Sequence, residues 1–154
     1  MTTSELQELV QDIVKQASNL KDKHANQKDA PVHYVAIFAQ TKKEYEDLLN
    51  IAKQIGNVLK DTPTGPVFKI EPIDTIAGSL RILKIRILDP TRPERGDADF
   101  AAKDYQNFKT RYSPKAGFKL IQRETFEMIE LIDPAFNVRV YFSNPPVESQ
   151  YKLP

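Results

Sequence analysis

Apolar positions near the start of the chain recur at steps of three and four residues, which predicts an amphipathic helix over residues 3–23. One face of this helix carries seven apolar side chains: Leu6, Leu9, Val10, Ile13, Val14, Ala17 and Leu20. A helix of this kind is marginal in water when it stands alone. We therefore expect it to pack on other helices of the fold or against a second copy of the chain in a homodimer.

After this helix the pattern changes to alternation, then to a helical period, and then back to alternation. Residues 33–39, HYVAIFA, predict a strand, and the stripe that follows predicts a helix over 41–55. NVLKDT and PVFKIEPI predict a hairpin, and LRILKIRIL (80–88) predicts one more strand. The order over residues 33–88 is therefore one strand, one helix and three strands.

The same order of elements returns over residues 97–143. DADFAA predicts a strand, residues 104–112 predict a helix, and FKLIQRE, FEMIELI and VRVYFS predict three more strands. The linker DPTRPERG (89–96) joins the two units. A repeated βαβββ unit predicts an α+β fold of one domain over residues 1–154, with the N-terminal helix as an addition.

Composition narrows the function classes. The chain has 154 residues with 22 basic and 21 acidic side chains and a net charge of +1. A general nucleic-acid binder carries a basic excess on one face, so we expect no nucleic-acid partner. No apolar run approaches the roughly 20 residues of a membrane span, and no secretion signal begins the chain, so we expect a cytoplasmic protein without a membrane partner. The absence of cysteine excludes thiolate chemistry and Cys-ligated zinc.

Three segments of the second unit carry a family resemblance: DADFAAKDYQNFKTRY, GFKLI and MIELIDPAFNVRVYF. Together with the tandem repeat over residues 33–143, they resemble the vicinal oxygen chelate superfamily, which includes glyoxalase I, bleomycin-resistance proteins and extradiol dioxygenases. The resemblance implies that the two units form a half-barrel sheet whose concave face holds a divalent metal. In that family the metal ligands lie on the first and last strand of each unit.

Carried over by position, the resemblance places His33 and Asp97 on the two first strands. It places Arg139 on the last strand of the second unit, and Lys84 and Arg86 on the last strand of the first unit. A Lys or Arg side chain repels a divalent cation, so we expect no metal cofactor.

An alternative set of metal ligands is His33, Asp97 and Glu130. These three side chains would make a partial divalent-metal site if Glu130 turns inward. That arrangement would support a metal-dependent lyase, isomerase or dioxygenase with an unusual ligand set.

Strand parity predicts a cationic cup. In LRILKIRIL and VRVYFS the apolar positions alternate with polar ones, so each strand has an apolar face and a polar face. If both polar faces are concave, Lys84, Arg86, Arg139 and Tyr141 converge with His33, which the resemblance places on the first strand. Such a cup suits a carboxylate or a phosphate, and Arg123 lies outside it. The alternative is that these residues form the solvated face of an antiparallel sheet.

The sequence therefore predicts a small-molecule-binding protein of glyoxalase-like fold, with an anionic ligand in a concave basic pocket. A second alternative to the metal-dependent enzyme is a structural or partner-binding module whose cup is closed by its own side chains. An open, polar-lined cavity would favour a ligand site over that module. The sequence does not decide whether the protein is an enzyme.

Overall fold

The computed structural model describes residues 1–154, which form four helices and eight strands. The helices are α1 (Thr3–His24), α2 (Lys42–Ile55), α3 (Tyr105–Tyr112) and α4 (Val147–Gln150). The strands are β1 (Val32–Phe38), β2 (Gly56–Lys60), β3 (Val67–Thr75), β4 (Gly78–Arg86), β5 (Gly96–Phe100), β6 (Phe118–Gln122), β7 (Glu127–Leu131) and β8 (Val138–Asn144). Except for α4, each of these elements corresponds to one that the sequence pattern predicts.

The two long helices begin at threonine caps. Thr2 Oγ1 accepts a hydrogen bond from the backbone N–H of Glu5 at 3.1 Å, and Thr41 Oγ1 accepts one from Glu44 at 3.0 Å. Each bond satisfies a backbone donor that has no partner within the first turn of a helix.

All eight strands belong to one sheet in the order β2-β3-β4-β1-β5-β8-β7-β6. Strand β1 lies parallel to β4, and β5 lies parallel to β8, whereas the other neighbours are antiparallel. The first four strands and the last four therefore have the same internal order. The antiparallel pair β1–β5 joins the two units. This topology confirms the predicted α+β class with two tandem βαβββ units.

The main hydrophobic core lies between one face of the sheet and the helices. Alternate residues of the central strands point into it, among them Val35, Leu83, Ala98 and Val140, each fully buried. Intervening residues such as Lys84 and Arg139 belong to the opposite face, here called the concave face. The two faces of β4 and of β8 are thus the ones that strand parity predicts.

Helix α1 covers the middle of the core. Its side chains Leu6, Val10, Ile13, Val14, Ala17 and Leu20 are all fully buried, and the helix lies against β1, β3, β5, β8 and α2. A Cβ atom on Gly96 of β5 would lie 2.4 Å from the carbonyl oxygen of Ala36 and 2.9 Å from Cδ1 of Ile13. Gly96 therefore allows α1 and β1 to approach β5 closely. None of the helices combines the length and apolar character of a membrane span.

Candidate functional site

A cavity of about 300 Å³ opens on the concave face where the two units meet. Each of the four central strands contributes to it, and its lining residues from the sheet are Tyr34, Lys84, Arg86, Asp97, Asp99, Met128, Tyr141 and Ser143. Segments outside the sheet add Arg92, Arg123, Phe126, Val147, Gln150 and Tyr151. The volume is at the lower end of the range for small-molecule sites.

Two cations reach the cavity from β4. Lys84 and Arg86 alternate with the buried residues Leu83 and Ile85, which fixes both charged side chains on the concave face. Lys84 Nζ donates a hydrogen bond to Thr64 Oγ1, and burial together with the charge of Arg86 lowers the pKa of Lys84.

Arg86 is held by weaker contacts. Its Nη2 lies 3.3 Å from Asp89 Oδ2, and its guanidinium lies 5.7 Å from the ring centroid of Phe38. Its Nε is buried without a hydrogen-bond partner. Part of this guanidinium is therefore available to an acceptor that the protein itself does not supply.

A third cation, Arg92, comes from the linker between the units. Asp89 shapes this linker by accepting hydrogen bonds from the N–H and the hydroxyl of Thr91, at 2.9 and 2.6 Å. Arg92 donates to the Tyr141 hydroxyl at 3.4 Å and lies 5.9 Å from the ring centroid of Phe38. Sequence parity missed Arg92 because a loop residue belongs to no strand face.

Two buried carboxyl groups lie beside these cations. Burial raises the pKa of Asp97 to about 7, although the charges of Arg92, Lys84, Arg86 and Arg139 act in the opposite direction. Burial also raises the pKa of Asp99 to about 7, against the effect of hydrogen bonds from Ser143. The Oδ1 atom of Asp97, by contrast, is buried without a hydrogen-bond partner.

Arg139 and Tyr141 share the concave face but have different surroundings. Arg139 donates to Glu94 Oε2 at 2.9 Å and contacts Glu130 Oε2 at 3.5 Å, and it does not line the cavity. Tyr141 lines the cavity and donates its hydroxyl hydrogen to Glu130 Oε2 at 2.6 Å. The charge of Arg139 is thus already paired with two carboxylates.

His33 lies outside the cavity. Opposite β5, the partner of Val32 is Phe100 and the partner of Tyr34 is Asp99, so β1 has one extra residue at this point. Val35 points into the core, so alternation gives Tyr34 the cavity-facing position, and His33 lies in the bulge. The Nδ1 atom of His33 accepts a hydrogen bond from the Glu148 N–H at 3.4 Å, and burial lowers the pKa of His33.

The structure therefore brings together three of the five predicted cup residues, Lys84, Arg86 and Tyr141, and separates His33 and Arg139 from them. Arg123 lies on the cavity lining, which corrects the expectation that it lies outside the cup. It follows β6 directly, and its backbone N–H bonds to the carbonyl of Phe126 in the short connection to β7.

The residues on the concave face do not fit a divalent-metal site. Within this fold no group of three or more His, Cys, Asp or Glu side chains is placed to hold a metal ion. His33 lies outside the cavity, and Glu130 is bonded to Tyr141 and Arg139. The predicted alternative of His33, Asp97 and Glu130 is therefore not assembled. The charged groups around Asp97 include four cations, Arg92, Lys84, Arg86 and Arg139, which repel a metal ion.

The C-terminal segment forms one wall of the cavity. Val147 of α4 packs against Val67 and Ile82 on the concave face. Arg81 anchors the segment by donating to Glu148 at 3.2 and 3.0 Å and to the carbonyl oxygen of Pro154 at 2.7 Å. Helix α4 has no counterpart in the sequence pattern, because four helical residues are too few to show a period.

Comparison with known proteins finds a solved structure with the same fold but does not assign the chain to a family. No family model matches the chain, and neither does any curated protein. A solved structure described as "Structural Genomics, Protein EC4020" is similar, with a TM-score of 0.71 and 14% identity over 96% of this chain and 92% of that chain. At that identity the similarity shows a shared fold alone.

A second solved structure is a glyoxalase/bleomycin resistance protein/dioxygenase superfamily member from Vibrio splendidus 12B01. Its TM-score is 0.41 with 11% identity, over 74% of this chain and 97% of that chain. This similarity is too weak to carry an argument about family, so membership in the vicinal oxygen chelate superfamily stays a prediction.

Proposed function

We propose that the chain binds a small anionic molecule in the cavity of the concave face. Lys84, Arg86 and Arg92 recognise the anion, and the Tyr141 hydroxyl lies beside Arg92. Arg139 supports the wall behind Tyr141, since its own charge is paired with Glu94 and Glu130.

One observation carries this proposal: four cations line the same cavity, Lys84, Arg86, Arg92 and Arg123, and among them only Arg86 has an ion-pair partner, Asp89 at 3.3 Å. The two carboxyl groups that line the same cavity, Asp97 and Asp99, have pKa values of about 7, so near neutral pH their negative charge is incomplete. Like charges in a partly buried site repel one another, and an anion relieves that repulsion while it accepts charge-assisted hydrogen bonds.

The cavity itself favours a ligand site over the two alternative functions. A module with a closed cup would leave no space, whereas the cavity has about 300 Å³. A metal-dependent enzyme needs a set of anionic or neutral ligands, and this site has only the carboxyl groups of Asp97 and Asp99 among four cations. Perturbed carboxyl groups in a cavity are also typical of functional sites.

The first prediction concerns thermal stability in phosphate. Phosphate should raise the melting temperature of the parent protein more than sodium chloride does at equal ionic strength. A ligand present at a hundredfold excess over its Kd stabilises the native state by about 2.7 kcal/mol, which corresponds to several degrees for a chain of this size. Differential scanning fluorimetry measures the difference.

Arg92→Ala and Arg111→Ala form a matched pair for this experiment. Arg92 lines the cavity, whereas Arg111 is exposed on α3 outside it. Arg92→Ala should lose most of the response to phosphate, and Arg111→Ala should keep it. If both variants respond like the parent, the anion does not bind in this cavity and the proposal is wrong.

A further inference from the structure

Asp97 has an unpartnered carboxyl oxygen, and anion binding by the cations alone gives this oxygen no role. The residue is 6% exposed and lines the cavity, and its Oδ1 atom is buried without a hydrogen-bond partner. Buried polar atoms nearly always have a partner, so an exception calls for an explanation. Its neighbour Asp99 needs no such explanation, because Ser143 donates hydrogen bonds to both of its carboxyl oxygens.

We infer that the cavity selects oxyanions that carry their own hydrogen-bond donor, an O–H or N–H group beside the negative charge, and that Asp97 accepts this hydrogen bond. The inference rests on the anion site proposed above and names the class of anion that the site takes. Lys84, Arg86 and Arg92 hold the charged oxygens, and the carboxylate of Asp97 receives the donor.

Hydrogen phosphate and sulfate separate the requirement for negative charge from the requirement for a hydrogen-bond donor. They are tetrahedral oxyanions of similar size, but phosphate keeps an O–H group throughout the neutral pH range and sulfate has none. An ionised Asp97 would face a sulfate oxygen with no proton between the two acceptors. Leaving a buried acceptor unsatisfied in this way lowers affinity, as in sites that reject an analogue lacking one hydroxyl.

Proton linkage gives the direction of the pH dependence. The charged and titratable groups that act on Asp97 or line its cavity are Tyr34 from β1, Lys84 and Arg86 from β4, Arg92 from the linker, Asp99 from β5, Arg123 after β6, Arg139 and Tyr141 from β8, and Tyr151 after α4. Burial outweighs the cations among them and raises the pKa of Asp97 to about 7. Sulfate binds more tightly when Asp97 supplies the proton, so sulfate affinity is highest below this pKa and falls as pH rises through it.

The test is calorimetric titration of the intact chain with phosphate and with sulfate at equal ionic strength. Two buffers are used, about one pH unit below and about one pH unit above the pKa of Asp97. In the alkaline buffer phosphate should bind at least about tenfold more tightly than sulfate. In the acidic buffer the ratio should shrink, because sulfate then binds to protonated Asp97.

Asp97→Asn and Asp99→Asn provide matched variants. The amide of Asp97→Asn can donate to sulfate, so this variant should bind the two anions within about threefold of each other in the alkaline buffer. Asp99→Asn should keep the selectivity, because the carboxylate of Asp99 is already satisfied by Ser143. If Asp97→Asn does not fold, the two titrations of the parent protein decide the question alone.

The outcomes separate this inference from the proposed function. Equal affinity of the parent for phosphate and sulfate in the alkaline buffer would overturn the inference and leave the anion site standing. Failure of both anions to bind would overturn both. Selectivity that is lost in Asp99→Asn and kept in Asp97→Asn would assign the contact to Asp99 and overturn the role of Asp97.

Discussion

Arg139 lies between two carboxylates at the edge of the cavity wall. It contacts Glu94 at 2.9 Å and Glu130 at 3.5 Å, and the exposed fractions of the three side chains are 14, 13 and 10%. Burial acts to raise the pKa of Glu94, but the hydrogen bond from Arg139, a backbone hydrogen bond and the charges of Arg139 and Arg92 together outweigh it, and the pKa lies below its usual value. Sequence parity predicts that Arg139 binds the anion, but in the structure Arg139 is part of a buried network of ion pairs.

Arg139→Ala should therefore act on stability. Removing the cation leaves Glu94 without its ion-pair partner and Glu130 with only the Tyr141 hydroxyl, which should lower the free energy of unfolding by about 1–3 kcal/mol at neutral pH. Because the pKa of Glu94 is depressed in the native state, the contribution of the pair is present at neutral pH and is lost as pH falls through that pKa. Denaturant unfolding of parent and variant should give a difference that narrows in acid.

The exposed Arg111 is the control, and Arg111→Ala should change the free energy of unfolding by less than about 0.5 kcal/mol. Arg139→Ala should also keep the response to phosphate. If Arg139→Ala leaves the free energy of unfolding unchanged and abolishes the response to phosphate, Arg139 binds the anion and the structural role given to it here is wrong.

Single residues also show how far the sequence predicts the site. Alternation is reliable within an unbroken strand, so Lys84, Arg86 and Tyr141 could be assigned to the concave face in advance. His33 is assigned to the cup by its position in the family resemblance and not by alternation, and the structure brings its neighbour Tyr34 to the cavity instead. Alternation makes no prediction for Arg92, because this residue reaches the cavity from a turn and not from a strand.

At the level of elements, α1 contributes to the centre of the core. The sequence predicts an apolar stripe that must be buried on the convex helices or against a second subunit. In the structure the stripe covers the sheet and contacts α2 within one chain. A homodimer stays a prediction. The partner of the stripe could not be predicted, because periodicity shows that a face is buried and does not show what covers it.

Ile13→Ala tests this packing. Ile13 is fully buried and lies over Gly96 of β5, so its truncation should lower the free energy of unfolding by about 2–4 kcal/mol. Lys15→Ala on the exposed side of the same helix should cost less than about 0.5 kcal/mol. If Ile13→Ala changes the oligomeric state and leaves the monomer as stable as before, α1 belongs to an interface between subunits.

At the scale of the whole molecule, the repeat in the sequence explains the sheet. Two units with the same order of strands meet at β1 and β5, and the cavity lies over this junction. Neither unit holds the site alone, since Lys84 belongs to the first, Asp97 to the second and Arg92 to the linker. The C-terminal wall could not be predicted, because only the finished concave face gives Val147 a surface on which to pack.

The measurement that tests anion binding in the cavity most directly is an amide chemical-shift titration with phosphate, against sodium chloride at equal ionic strength. The largest changes should lie at residues 84–86, 91–93, 97–99 and 141–143, which meet around the cavity. Saturation at a single dissociation constant should accompany them. Changes that are spread over exposed lysines such as Lys15 and Lys53, without saturation, would contradict an anion site in this cavity.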